Sequence, residues 1–308
     1  MDRLVAFVRL GRPQFLIGGF LLYGLGAAVA VVAGATLAPR TYLLGQAAIT
    51  TIQLMTHYAN DFFDIAADRA NQTPTRWSGG SRVLTGETSL APRVALRAAR
   101  TLAALALLIV GAVFLRGGPG GPVAALALLV ALGLAWAYSA PPARLHSRGL
   151  GELTTAIVVT GLTPLVGFVL QAGGLAGVGR LMLAQGPLIG LQFCMLLAIE
   201  FPDAAGDAIA GKRTLVVRLG GPVAAALYRA LLVLTYGGIP LLIVAGLPPI
   251  AALGAASLAP LAAWQFGVLG GGGGGDARRW EGLAFRAVAM LVVTSAAELA
   301  AFVWLARS

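Results

Sequence analysis

Apolar positions fall into nine long runs, at residues 14–34, 42–66, 94–115, 122–140, 152–171, 182–200, 222–244, 249–269 and 283–306, separated by polar or glycine- and proline-rich stretches. A hydrocarbon core about 30 Å thick takes roughly 20 helical residues to cross. Within it, backbone polar groups are satisfied only inside helices or closed barrels. The pattern therefore predicts an all-α, polytopic membrane protein of nine transmembrane helices. The runs fill the chain, so residues 1–308 are expected to form a single transmembrane domain. Arg3, Arg9 and Arg12 precede the first run as in a secretory signal. That run is longer than the apolar part of a signal and eight more follow, so the first helix is expected to be retained.

Composition agrees with the pattern. With 58% of residues apolar and only 11% charged, a water-soluble domain is excluded. The net charge of +10 raises the question of nucleic acid, and the placement of the charges answers it. With the N-terminus inside, only Arg40, Arg116, Arg180 and Arg307 fall outside, and the other 18 of the 22 Lys and Arg fall inside. This is the positive-inside bias of a multi-pass protein of the cell (inner) membrane, and it calls for no nucleic acid. Outward turns such as 117–121 are short, whereas the inward stretches 68–93, 141–151, 201–221 and 270–282 are longer and polar. Chemistry is therefore expected at the cytoplasmic face. Gly270–Gly275, six glycines in a row, reads as a flexible loop, since no GK[ST] follows to make it a phosphate loop. The single cysteine, Cys194, lies within an apolar run, allows no intramolecular disulfide and reads as packing.

Two runs end in acids. In the second, Asn60, Asp64 and Asp68 recur every fourth residue, so a helix sets them on one stripe. Asp61 points to another face and is secondary in this reading. The sixth run leads into Asp203 and Asp207, with the same spacing, and Glu200 lies on a similar face if the helix continues through Pro202. The two helices are four crossings apart, hence parallel, and their acidic ends reach the same membrane face. Like charges so spaced near hydrocarbon are costly unless a cation neutralises them. An all-oxygen set of this kind suits Mg²⁺, which keeps waters and bridges a few carboxylates to phosphate oxygens. Taken singly, each acid could merely solvate a helix end; the repeated spacing on one side favours a metal and diphosphate site.

These residues resemble the UbiA superfamily of intramembrane prenyltransferases, whose hallmarks are NxxxDxxxD on the second helix and DxxxD on the sixth. The stretch from Asp203 to Gly220, with Lys212 in its GKRTLVVRLG continuation, is similar to the family's second signature. Arg12-Pro13, Gly79-Gly80-Ser81, the segment Tyr138 to Arg144 and Gly149 to Glu152 match as well. The resemblance covers nearly the whole chain. It implies nine helices around a central cavity open laterally to lipid, a polyprenyl diphosphate donor, a ring acceptor and a membrane lipid product. It further implies two Mg²⁺ ions, one held by Asn60, Asp64 and Asp68 and the other by Asp203 and Asp207, with Asp64 and Asp203 foremost. Arg82, Arg144 and Lys212 are the candidates for binding the diphosphate.

An allylic cation favours a dry, aromatic-faced pocket, for which Phe62, Phe63 and Tyr138 are candidates. His57, one turn before Asn60, is a candidate to orient acceptor or carboxylate, with a core histidine whose partners are satisfied as the favoured reading. Glu200 is a further candidate for this pocket, and His146 reads as a loop residue. Glu298, deep in the last run, calls for a partner that the sequence does not name. The GGS and GKRTLVVRLG stretches look most like the branch that prenylates 1,4-dihydroxy-2-naphthoate on the way to menaquinone. Glu200 and Pro202 stand where that branch carries asparagine and arginine, and Arg82 where it carries glycine. Another phenolic acid or a lipid acceptor thus stays open. The competing class is an ion-coupled secondary transporter, whose intramembrane acids usually sit at mid-membrane within inverted repeats.

Overall fold

A computed structural model describes residues 3–86, 90–270 and 277–308; most of the six-glycine run lies outside the described residues. Among those described, every regular element is helical. The short helix Arg3–Leu10 leads through a turn at Pro13–Phe15 into α1 (Leu16–Val32). There follow α2 (Pro39–Phe63), α3 (Pro92–Arg116), α4 (Gly121–Ser139), α5 (Gly151–Ala172) and α6 (Val178–Glu200). The last three are α7 (Gly221–Val244), α8 (Pro249–Leu269) and α9 (Ala277–Leu305). All nine expected runs are thus helical, with ends that shift by only a few residues.

Eight helices among the described residues are long and apolar enough to cross a membrane. The exception is α2, which has the length but carries Gln46, Gln53, His57 and Asn60 along its course. Its polarity reflects what it faces, because α2 packs against α1, α3, α4 and α5 inside the bundle. By contrast α3, α7 and α8 lie at the periphery and turn residues such as Leu108, Leu115, Leu234 and Leu253 outward, as a lipid-facing surface requires.

Close packing in lipid favours small residues where backbones meet. At the contact of α1 with α5, a Cβ on Gly26 would collide with the Pro164 carbonyl, and one on Gly167 with the Tyr23 carbonyl. Within α5 the stretch Ala156–Leu162 is π-helical. Pro164 has no N–H to offer Thr160, and such wider turns are frequent beside functional sites. Here Val158 and Val159 of that stretch border a cavity of ≈ 220 Å³ enclosed by α1, α2, α4, α5, α6 and α9. The exposed Ile17 also belongs to its wall, so the cavity reaches the outer surface of the bundle beside α1.

Candidate active site

α2 stops at Phe63; Asp64 leaves helical backbone geometry (φ −99°, ψ 7°), and the chain resumes as the short helix Ile65–Ala70. α6 stops at Glu200, turns through Pro202, and resumes at Asp203 as Ala204–Ile209. The two short helices pack on each other at one end of the bundle. A Cβ at Gly206 would meet the backbone of Asn71 at 2.8 Å, so only glycine permits this approach. Asp64 and Asp203 are the N-cap residues of their short helices, yet neither side chain caps its own helix. An N-cap aspartate ordinarily accepts an N–H of the following turn. Both carboxylates here are turned across the interface instead.

The convergence expected of parallel acid-tipped helices is present, with Lys212 at its centre. Its ammonium donates to Asp64 Oδ2 at 2.9 Å and lies 3.5 Å from Asp207 Oδ1, joining the two motifs. Asn60 Nδ2 donates to Asp64 Oδ2 at 2.7 Å and to Ser139 Oγ at 3.0 Å. Asp203 accepts from Asn71 Nδ2 at 2.7 Å and from the Gly79 N–H at 2.9 Å. The Asp68 carboxylate lies against Gly80, where a Cβ would collide with it, and Asp207 Oδ2 is buried with no partner among the described residues. No three His, Cys, Asp or Glu side chains among those residues close on one point.

Burial favours the neutral form of these acids, and their partners decide how far. It pushes Asp68 up to about 7 and Asp207 up to about 6, and it raises Asp203 in spite of its hydrogen bonds. At Asp64 burial works the same way but is outweighed by Lys212, which holds that carboxyl below the usual range. For Lys212 burial opposes the charge, and Asp64 and Asp207 outweigh it, so the ammonium is strongly retained.

The arginines around this rim share a backbone feature. Arg12 (φ 44°), Arg82 (φ 61°) and Arg144 (φ 43°) are the non-glycine residues in the left-handed region among those described. Strain of that kind persists where surrounding structure enforces it, and it clusters at ligand sites. The Arg82 guanidinium donates to the Asp68 backbone carbonyl, not to its carboxylate. Arg144 is exposed, and its charge is felt at Asp64.

The cavity opens just below. Tyr138, His57 and Asn60 line it; Phe62, Phe63 and Glu200 do not. Phe62 and Phe63 pack on each other, and Phe63 packs on Trp136. Glu200 is buried behind Tyr138, where its Oε1 is 2.8 Å from His146 Nε2 and its Oε2 accepts the Val216 N–H at 3.3 Å. His146 lies in the connection between α4 and α5, as expected, and its side chain is folded inward there. It is buried, which with nearby Lys212 lowers it to about 4, and it stacks on Tyr138 with ring centres 4.7 Å apart. One ring nitrogen of His57, Nε2, is buried without a hydrogen-bond partner among the described residues. Asp61 proves central to the rim: it accepts hydrogen bonds from Arg12 and from the backbone and hydroxyl of Ser81, tying the first inner loop to α2. Asn71 went unread because no periodicity marks it. The one local sign is an Asx turn, its Oδ1 accepting the Thr73 N–H at 2.9 Å.

A closed bundle of apolar helices with a polar, acid-lined rim over one cavity defines an integral membrane protein with its candidate site at the edge of the hydrocarbon. The chain belongs to the UbiA prenyltransferase family, whose model matches residues 20–287. Solved structures share the fold over nearly their whole length. A UbiA homologue from Aeropyrum pernix, in its apo form, is 17% identical with a TM-score of 0.66, covering 94% of this chain and 98% of that one. A UbiA homologue from Archaeoglobus fulgidus bound to DMAPP and Mg²⁺ is 17% identical with a TM-score of 0.63, covering 95% and 98%. A digeranylgeranylglyceryl phosphate synthase is 18% identical with a TM-score of 0.62, covering 99% of each chain. Among curated proteins none matches the chain in sequence.

Proposed function

We propose that this protein is a Mg²⁺-dependent polyprenyltransferase of the cell (inner) membrane, with its acid-lined rim and N-terminus cytoplasmic. It moves a polyprenyl group from its diphosphate to an aromatic acceptor, with 1,4-dihydroxy-2-naphthoate, on the way to menaquinone, as the leading choice. The observation that carries this reading is the meeting of the two acid motifs at Lys212, directly over a cavity within the bundle. The metal fits the residues present. The donors are all hard oxygens, Asp207 keeps an unpaired buried carboxylate oxygen, and carboxylates brought together near hydrocarbon need positive charge. Asn60, Asp64 and Asp68 would hold one ion, Asp203 and Asp207 a second. The UbiA homologue of A. fulgidus with DMAPP and Mg²⁺ bound supports the pairing of diphosphate and divalent ion.

Bound Mg²⁺ would offset the negative charge that builds on the diphosphate as it leaves. Lys212, Arg82 and Arg144 donate charge-assisted hydrogen bonds to the remaining phosphate oxygens. Asn71, Gly79 and Asn60 fix the Asp203 and Asp64 carboxylates, so the acids need no rearrangement as charge develops. Tyr138 presents a ring to the allylic carbon at the top of the cavity, where the apolar wall keeps water from reaching it first. The allylic C–O bond breaks with its electron pair leaving on the diphosphate, ring π electrons form the new carbon–carbon bond, and the attacked carbon loses its proton, or its carboxylate as CO₂, to restore the aromatic ring.

Membranes containing the protein, given radiolabelled geranylgeranyl diphosphate, Mg²⁺ and a panel of ring acceptors, should yield an organic-soluble adduct. Asp64→Asn and Asp203→Asn should each abolish it. Passage of label across the membrane without bond formation would favour the transporter, and near-normal turnover in both variants would remove the metal assignment.

A further inference from the structure

A second cavity, of ≈ 730 Å³, lies at the rim end of the bundle and shares no lining residue with the central one. Its wall is made by the end of α6, the short helices Ala204–Ile209 and Leu215–Leu219, the first turns of α7, the end of α8 and the start of α9. Because these are helix ends on one face, the cavity sits at the depth where hydrocarbon gives way to lipid headgroups. Its volume falls in the range of roughly 300–1,000 Å³ usual for ligand sites. Pro222 and Ala226 of its wall are exposed on the peripheral helix α7, so the cavity is reached from the membrane side.

The charge in this cavity is of one sign. Arg229 and Arg279 line it, and no carboxylate among the described residues does. On α7 Pro222, Ala225, Ala226 and Arg229 follow at i, i+3, i+4 and i+7, which is one helical face, so small residues leave room beside the arginine. Arg229 stands eight residues into α7, about 12 Å along the helix, where a cation is costly unless something anionic meets it. Among the described residues its guanidinium makes no ion pair or hydrogen bond, and it lies over the Phe266 ring, 4.1 Å from the centre. Arg279 donates one N–H to the Val268 carbonyl at 2.7 Å and has further donors to offer. Beside them Phe201 and Trp280 stack with ring centres 5.4 Å apart, and tryptophan favours the headgroup level of a membrane.

We propose that this cavity binds an anionic phospholipid, with Arg229 and Arg279 on the phosphate oxygens and the acyl chains running along the outer face of α7. The planar fork of arginine matches a phosphate, and basic pockets between spans at a membrane surface hold such headgroups. Val223 and Leu234, about three turns apart on one face of α7, give the chains an exposed apolar track. A free phosphate would leave that track and the apolar part of the wall unused. The helix Ala204–Ile209 contributes Ala204, Ala205 and Ala208 to the wall and also carries Asp207, so the lipid packs against an element of the acidic rim. The site goes beyond the prenyltransferase reading and does not depend on it.

Native mass spectrometry of the purified full-length protein in a neutral detergent, titrated with dioleoylphosphatidylglycerol or dioleoylphosphatidylcholine, tests this. Wild type should bind the anionic lipid about tenfold tighter than the neutral one. Arg229→Gln combined with Arg279→Gln should bring the two affinities within about twofold of each other. Ala225→Trp, which fills the cavity and keeps both charges, should do the same. Arg93→Gln combined with Arg97→Gln, which removes two exposed charges from the start of α3 at the same end of the bundle, should keep the wild-type preference. Millimolar inorganic phosphate should leave lipid binding unchanged. Equal binding of the two lipids by wild type, a preference that survives in either cavity variant, or one lost as fully in the α3 variant overturns the site. Displacement of the lipid by inorganic phosphate overturns it too, and would assign the arginines to a soluble anion.

Discussion

The Lys212 ammonium donates to Asp64 Oδ2 at 2.9 Å, bridging residues 148 positions apart, with both side chains almost wholly buried. Taking one partner from a buried pair leaves the other charge uncompensated, at a cost of about 3–5 kcal/mol. Lys212→Met therefore exposes Asp64 and Asp207 to each other's repulsion. If these acids bind Mg²⁺, the ion can replace the missing charge. Lys212→Met should lower Tm sharply in EDTA and recover much of the loss in millimolar Mg²⁺, while Lys212→Arg should lose little in either. Thermal unfolding of detergent-solubilised protein with and without Mg²⁺ checks this, and an equal loss in both conditions would refute it.

The acids also fix a pH dependence. Burial raises Asp68 to about 7 and Asp207 to about 6, above the ordinary carboxylate value of 3.8. Each then binds more protons in the folded than in the unfolded chain between those limits. Without metal, the stability they contribute is full below pH 3.8 and is lost as pH rises through 6 and 7. Metal binding needs the ionised form, so the sign reverses when Mg²⁺ is present. Tm in EDTA should fall from pH 5 to 8, and the Tm gain on adding Mg²⁺ should grow over the same interval. Asp68→Asn should flatten the upper part of both curves.

Arg82 and Arg144 hold positive φ at the rim of the site. A glycine there would relieve strain of about 1 kcal/mol while removing the guanidinium. Arg82→Gly and Arg144→Gly should each raise Tm slightly and raise the KM for the prenyl diphosphate about tenfold, leaving the acceptor KM unchanged. Arg82→Ala should raise the donor KM equally without the stability gain. Initial rates over a donor titration, set beside melting curves, separate the two effects.

Much of this architecture was legible because a bilayer dictates it. Apolar run length predicts the spans within a few residues, and the four-residue recurrence of Asn60, Asp64 and Asp68 places three polar groups on one stripe. Even α2, the most polar span, shows in its composition that it faces protein. What did not show were relationships made by chain folding back on itself. The closing of Lys212 on Asp64, the hydrogen bond of Asn71 to Asp203, and the pairing of His146 with Glu200 join residues far apart in sequence, and none has a periodic signature. Gln53 and Gln192 look like ordinary polar residues within helices until the cavity beside them is known.

Glu298 of α9 poses the opposite case, an acid remote from the site. It is 0% exposed, and neither carboxylate oxygen has a hydrogen-bond partner among the described residues. The α8 backbone approaches closely at this point, since a Cβ on Gly254 would stand 3.2 Å from the Glu298 nitrogen. A buried, unpaired polar group costs about 1–3 kcal/mol, which a volume-matched apolar side chain would not incur. Glu298→Leu should therefore raise Tm, and Glu298→Gln should change it little, since the amide inherits the same unmet hydrogen bonds. Turnover should stay within twofold of wild type in both variants, because nothing connects Glu298 to the acid-lined rim. A fall in turnover with the expected rise in Tm would show that the acid serves a function in place, and a fall in Tm with leucine would show that it has a bonding partner.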